Sequence, residues 1–202
     1  MSCAPSSMRE VELKAVVDSI ETRVANVERA GGRLVFRGRL EDMRFDTADR
    51  QLRAQDNLLR LRVYRDGRGT RAELGWKGPT YYESGYKVRQ EVAATSPDAD
   101  AIREILERVG FVLTREIHRE ITQYELHGAT VRFERYPRMD DLVEVEGEPG
   151  TIERAIAAIG IPREAFTPER LFEFVRRWEG RMGERAALCD RELTGEHPYA
   201  LE

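Results

Sequence analysis

The sequence predicts an α+β fold built on an antiparallel sheet. Three observations lead there. Apolar and charged residues alternate in about eight separate stretches, a period of two that strands show and helices do not. Turn dipeptides such as Asp66-Gly67 and His127-Gly128 stand between consecutive stretches, as they do in hairpins. Helical spacing is confined to segments after the first strand, at mid-chain and toward the end. A sheet of this many strands is compatible with closure into a barrel.

The chain opens with Arg9 to Val17. In an extended strand Glu10, Glu12 and Lys14 share one face, and Val11 and Leu13 share the other. Asp18 and Glu21 read as a capping-box start for a helix carrying Ile20, Val24 and Val27, stopped by Gly31-Gly32. Leu34 to Phe36 and Arg39 to Phe45 read as two strands, and Asp46 to Asp49 as a turn. Asn57 to Arg65 alternates strictly and breaks at Asp66-Gly67; Arg71 to Trp76 returns and Lys77-Gly78-Pro79 ends it. Gly85 to Ala93 alternates again. Ser96-Pro97 reads as N-cap and first-turn proline of a helix with Ile102, Ile105, Leu106 and Val109, closed by Gly110. Thr114 to Leu126 and Ala129 to Tyr136 form a hairpin, and Leu142 to Glu146 is one more strand. Helices at about 151–159 and from Thr167-Pro168 onward complete the pattern; the second carries Leu171, Phe172, Phe174, Val175 and Trp178.

The 202 residues, 41% of them apolar, suffice for one filled core. We expect one domain over residues 1–183 and a polar, poorly ordered tail over 184–202. Charged residues make up 35% of the chain but cancel to a formal net charge of -4, which argues against a nucleic-acid partner and confines any basic site to a local patch. Cys3 and Cys189 show neither metal-ligand spacing nor a disulfide framework. No apolar run approaches the roughly 18 residues of a membrane span, and Met1 to Met8 lacks the apolar core of a signal peptide. A cytoplasmic protein without a membrane partner is the expectation.

Strand after strand keeps its charges on one parity: Glu10/Glu12/Lys14, Arg60/Arg62, Glu73/Lys77, Lys87/Arg89/Glu91, Arg132/Glu134 and Glu144/Glu146. A solvated sheet face gives the same alternation, so periodicity alone does not say which face lies inside. The first and last strands supply acids in pairs. If they are neighbours, four carboxylates sit together, an arrangement that needs a cation, and all-oxygen ligands suit Mg²⁺ or Mn²⁺.

The Glu-x-Glu-x-Lys of Glu10, Glu12 and Lys14 resembles the signature of the CYTH superfamily, the triphosphate tunnel metalloenzymes, which include class IV adenylate cyclases, thiamine triphosphatases and inorganic triphosphatases. Further matches follow in the family's order: Arg44-Phe45-Asp46-Thr47, Leu59-Arg60-Leu61-Arg62, Trp76-Lys77-Gly78-Pro79, Arg89-Gln90-Glu91 and Leu142-Val143-Glu144-Val145-Glu146. The resemblance implies a closed eight-stranded antiparallel barrel with flanking helices and a charged tunnel. It implies Glu10, Glu12, Glu134, Glu144 and Glu146 as ligands of Mg²⁺ or Mn²⁺, and Lys14, Arg60, Arg62, Lys77, Arg89 and Arg119 as a clamp on a triphosphate. Glu10, Glu12 and Lys14 are the implied catalytic set. Glu134 stands where the family usually has Asp. Arg115 and Arg119 compete for one clamp position, and Arg119 is preferred because the following Glu-x-x-x-Tyr fits the approach to the hairpin. Arg132 is left out as an outward ion-pair partner.

The same residues serve two reactions. Attack by water makes the chain a metal-dependent triphosphatase, the reading preferred because it needs no base pocket; attack by a ribose hydroxyl makes it an adenylate cyclase. A non-catalytic polyphosphate binder is the third reading. The expected partner is a small-molecule triphosphate, with a homodimer as the assembly to test. His118, His127 and His197 lack ligand spacing, Trp178 and Phe174 read as helix-barrel packing, and Asp46 as a turn residue. With four carboxylates together, Glu12→Gln is expected to relieve repulsion in the metal-free protein.

Overall fold

The structure is a computed structural model, and it describes residues 8–196. Cys3, His197 and the rest of the two termini lie outside the described residues. In chain order the strands are β1 (Met8–Val16), β2 (Arg33–Asp46), β3 (Leu58–Asp66), β4 (Gly69–Lys77), β5 (Tyr81–Glu83), β6 (Tyr86–Ser96), β7 (Val112–Leu126), β8 (Ala129–Arg135) and β9 (Leu142–Glu146). Neighbours run β1-β9-β8-β7-β2-β3-β4-β6, and β6 pairs back onto β1. Every pairing is antiparallel, so eight strands close a barrel, and the short β5 adds to β6 outside the ring. Closure removes the unpaired edges that an open sheet of this size would present.

Among the described residues six α-helices flank it: α1 (Ile20–Arg29), α2 (Gln51–Ala54), α3 (Ala99–Arg108), α4 (Pro149–Ile159), α5 (Leu171–Met182) and α6 (Asp190–Leu193). The largest apolar cluster lies outside the barrel wall. There Val11, Leu13, Val131, Val143 and Val145 pack against Val27 of α1 and Ile152, Ile156 and Ile159 of α4. Phe172, Phe174, Val175 and Trp178 of α5 pack with Ile117, Tyr136 and Leu142, the helix-barrel contact expected of Phe174 and Trp178.

Several boundaries differ from expectation. The two strands expected between Leu34 and Phe45 are one, because Gly38 is a close approach and not a break: a Cβ there would lie 2.2 Å from the Arg65 carbonyl oxygen. Ser19, not Asp18, caps α1 by accepting from the Thr22 amide, while Asp18 pairs with Arg23. Asp98, not Ser96, caps α3 by accepting from the Ala101 amide. Thr167-Pro168 does not begin a helix; Thr167 exchanges two backbone hydrogen bonds with Lys14, and α5 starts at Leu171. The polar stretch after Gly183 is ordered as far as it is described. Ala186, Ala187, Leu188 and Cys189 are buried, Ala187 pairs with Arg138, and the Glu192 carboxylate accepts from the Leu188 and Cys189 amides. Four small or apolar residues carry no periodicity to read, yet all four are buried, and Ala186 and Leu188 pack in the apolar cluster of α5.

Among the described residues no helix is long and apolar enough to cross a membrane.

Candidate active site

The charged parity faces inward. Glu10, Glu12, Lys14, Arg60, Arg62, Lys77, Arg89, Arg119, Glu134 and Glu144 are all buried and line one cavity of about 350 Å³. Register explains the convergence. Lys14 lies opposite Glu144, Glu12 opposite both Glu146 and Lys87, and Glu10 opposite Arg89, so β1 sits between the acidic β9 and the basic β6.

Lysines separate the carboxylates. Lys14 Nζ is 2.7 Å from Glu12 and 2.6 Å from Glu144, Lys77 donates to Glu10, and Lys87 donates to Glu12. Burial alone would raise the Glu12 carboxyl, but Lys14, Lys87 and Lys77 outweigh it and hold it well below the usual carboxylate range. Burial and the charge of Glu12 likewise push Glu144 up, and Lys14 and Arg132 bring it down to about 2. Glu146 behaves differently. It does not line the cavity, its side chain keeps 32% of its exposure, and burial together with Glu10 raises it to about 7.

A second nucleus surrounds Asp42, which the sequence reading missed. Its carboxylate lies 3.2 Å from Arg62, 3.7 Å from Arg119 and 3.9 Å from Arg60. Burial works against its charge, but Arg62, Arg60 and Arg119 dominate and depress its pKa below the ordinary carboxylate value. No periodic signal marks Asp42 in the sequence, because its same-face neighbours, Leu40 and Arg44, form no acidic or basic pair with one another. Lys87 and Glu91, in contrast, share the parity of Arg89 and were legible by alternation. Glu91 accepts from Arg60 at 2.9 Å and lies 3.3 Å from Lys77.

Arg132 turns inward, contrary to the outward placement expected. It is buried, and its guanidinium lies 3.0 Å from Glu144 and 3.8 Å from Glu134. Arg115 and Arg119 both reach the cavity wall. Arg119 Nε donates to Glu134 at 3.0 Å, whereas Arg115 lies over the Phe172 ring at 4.9 Å and 3.8 Å from Glu192 of α6. Arg89, expected to clamp phosphate, donates to main-chain carbonyls: Nε to Gly78 at 2.6 Å and Nη2 to Asp56 at 2.7 Å. Its place fixes two loops at the cavity edge. Asp46 is a turn residue as expected, accepting from the amides of Thr47, Leu52 and Arg53. His127 occupies the hairpin turn with φ 53°, and His118 accepts from the Asp190 amide.

The donor chemistry fits a hard divalent cation. Glu10 Oε2 is buried without a hydrogen-bond partner, and Glu10 and Glu144 both disfavour the charge of Glu146. Among the described residues no group of three His, Cys, Asp or Glu side chains forms a ready-made metal cage, since the lysines occupy the carboxylates. A cation would compete with Lys14, Lys77 and Lys87. Glu134 is the least available donor: one oxygen accepts from Arg119 and the other from the Tyr136 hydroxyl at 2.5 Å.

Comparison with known proteins agrees with this architecture. The family model for the CYTH domain matches residues 8–161. A Methanocaldococcus jannaschii protein provisionally named an adenylate cyclase is 30% identical over 104 residues, covering 52% of this chain and 57% of that relative. The chain thus matches little more than half the length of this relative. A Vibrio parahaemolyticus structure, also provisionally named an adenylate cyclase, aligns with a TM-score of 0.70 at 18% identity over 85% of this chain and 99% of that one. A Hippeastrum protein, HpAC1, provisionally an adenylyl cyclase and described as revealing a dominant triphosphatase activity, aligns with a TM-score of 0.61 at 18% identity over 89% of this chain and 98% of that one.

Proposed function

Because this chain belongs to the CYTH family, with its charged barrel interior, we propose that it is a divalent-metal-dependent triphosphatase acting on a triphosphate bound inside that barrel. One observation carries the reading. Twelve Lys and Arg side chains line the cavity against seven Asp and Glu, in a chain whose formal net charge is -4. Such an excess of positive charge around one cavity, from its buried wall to its exposed opening, calls for a polyanion of small size.

In this reading Arg60, Arg62 and Arg119 hold non-bridging phosphate oxygens, and Asp42 fixes the three guanidinium groups before substrate arrives. Lys14 and Lys77 offset charge that builds on the leaving oxygen. Glu10, Glu12, Glu144 and Glu146 would hold Mg²⁺ or Mn²⁺, which supplies Lewis-acid polarisation of the phosphate. Water attacks the terminal phosphorus, its oxygen bonds to that phosphorus, and the bridging P–O bond breaks with its electrons going to the shorter chain. The proton of the attacking water passes to a phosphate oxygen of the departing chain, which balances the step.

The relatives' cyclase names favour one alternative, in which the ribose 3′-hydroxyl of ATP attacks the α-phosphorus and pyrophosphate leaves. Mass-spectrometric product analysis after incubation with Mg²⁺ and tripolyphosphate, thiamine triphosphate or ATP tests both. Orthophosphate and a shortened chain are expected. Cyclic AMP with pyrophosphate would transfer the assignment to cyclisation, binding without turnover would make the protein a polyphosphate binder, and full activity after exhaustive EDTA treatment would remove the metal.

A further inference from the structure

The cavity extends beyond the buried arginines. Where β2 leads into α2, Arg50 and Arg53 line it from an exposed position, and among the described residues neither guanidinium has an acidic or hydrogen-bonding partner. Arg170 stands at the same opening, held 2.9 Å from Asp56. Two guanidinium groups without a counter-charge at the edge of an already cationic cavity leave positive charge unneutralised there, so the arrangement favours a bound anion.

Their support is fixed. Asp46 accepts from three amides of this connection, Thr47 Oγ1 accepts from the Gln51 amide, and Arg89 ties Asp56 to Gly78. Arg50 itself is held in the left-handed region at φ 62°, which a side-chain-bearing residue rarely adopts. The chain therefore presents Arg50 and Arg53 on a constrained loop.

The same cavity offers a purine little. Among the described residues, the aromatic rings lining it are those of Phe45, Tyr136 and Phe172. Phe45 is 2% exposed and packs with Leu61 and Leu106, the Tyr136 hydroxyl donates to Glu134, and the Phe172 ring is faced by Arg44 and Arg115. No ring is left open as a stacking platform.

We infer that Arg50 and Arg53 form an outer anion subsite that holds phosphate groups beyond the third, so that linear inorganic polyphosphates are better ligands than nucleoside triphosphates. This rests on the hydrolase reading for the reaction but not for the binding, and the test separates them. Tetrapolyphosphate, tripolyphosphate and ATP are compared with Mg²⁺ by orthophosphate release and by titration calorimetry, in wild type, in Arg50→Gln/Arg53→Gln, and in the charge-retaining Arg50→Lys/Arg53→Lys. Wild type should favour tetrapolyphosphate over both other ligands. The Gln pair should reduce its preference for tetrapolyphosphate over tripolyphosphate by about fivefold or more, through KM rather than kcat, and the Lys pair should recover most of it. Both positions are exposed, so melting temperatures confirm that each variant is folded. If wild type hydrolyses none of the three yet binds tetrapolyphosphate most tightly, the hydrolase assignment falls and the subsite stands. An unchanged ratio in the Gln pair, or tighter binding of ATP than of tetrapolyphosphate, overturns the subsite.

Discussion

Along β1, Val11, Leu13 and Ala15 lie at 4%, 1% and 0% exposure beneath α1 and α4, while Glu10, Glu12 and Lys14, the alternate residues, lie at 6%, 4% and 7% inside the barrel. Both faces are equally removed from bulk water, and they are held by different physics. The outer face gains from apolar burial, about 25 cal/mol for each Å² taken out of water. The inner face gains nothing of that kind and persists because nearly every charge has an opposite charge within reach. Alternation of polarity in a strand thus reports two environments but not which of them is wet.

The largest effect is expected inside. Asp42→Asn leaves Arg60, Arg62 and Arg119 without their shared counter-charge, and breaking a buried ionic network in this way costs about 3 to 5 kcal/mol. The sign with pH follows from the depressed pKa of Asp42. Its stabilisation is present above the unfolded-state value of about 3.9 and is lost as pH falls through the lower folded-state value. The penalty of Asp42→Asn, measured by urea unfolding at several pH values, should therefore be full at pH 7 and shrink in acid. A penalty independent of pH would show that Asp42 acts by shape and not by charge.

On the outer face Leu13→Ala should cost about 2 to 5 kcal/mol by opening a cavity under α4, and this loss should not vary with pH. Orthophosphate release at a temperature where the variant remains folded should stay near wild type. A large fall in kcat there would mean that the two faces are not separable.

A smaller effect refines the inner face. The sequence suggested that Glu12→Gln would relieve repulsion, but Glu12 lies between Lys14 and Lys87 and is the counter-charge of both. Metal-free Glu12→Gln should accordingly melt below wild type, by an amount corresponding to about 1 to 3 kcal/mol. Its additional stabilisation by Mg²⁺ should shrink as well. A higher melting temperature would restore the picture of four mutually repelling acids.

Alternation showed the strands but left the inner face open; the closed barrel and the inward parity were legible only through the resemblance to the CYTH family that motifs such as Leu59-Arg60-Leu61-Arg62 carry. Asp42 was not legible, since a lone acid between Leu40 and Arg44 carries no periodic signal and acquires meaning only when β3 and β7 bring three arginines to it. Arg132 was legible by parity and misplaced for want of a motif. Ala186 to Cys189 could not be recognised as core because an apolar run of four residues has no period to test.

The central claim is that the inner face of the barrel binds a triphosphate, and thermal stabilisation by tripolyphosphate in the presence of Mg²⁺ tests it most directly. A ligand at one hundred times its Kd adds about 2.7 kcal/mol to the stability of the state that binds it. Wild type should show a rise of that order, and Arg60→Ala, which removes one buried guanidinium from the clamp, should need a ligand concentration at least about tenfold higher to reach the same rise. Equal shifts in the two proteins, or no shift in wild type, would place the phosphate outside the barrel and contradict the account.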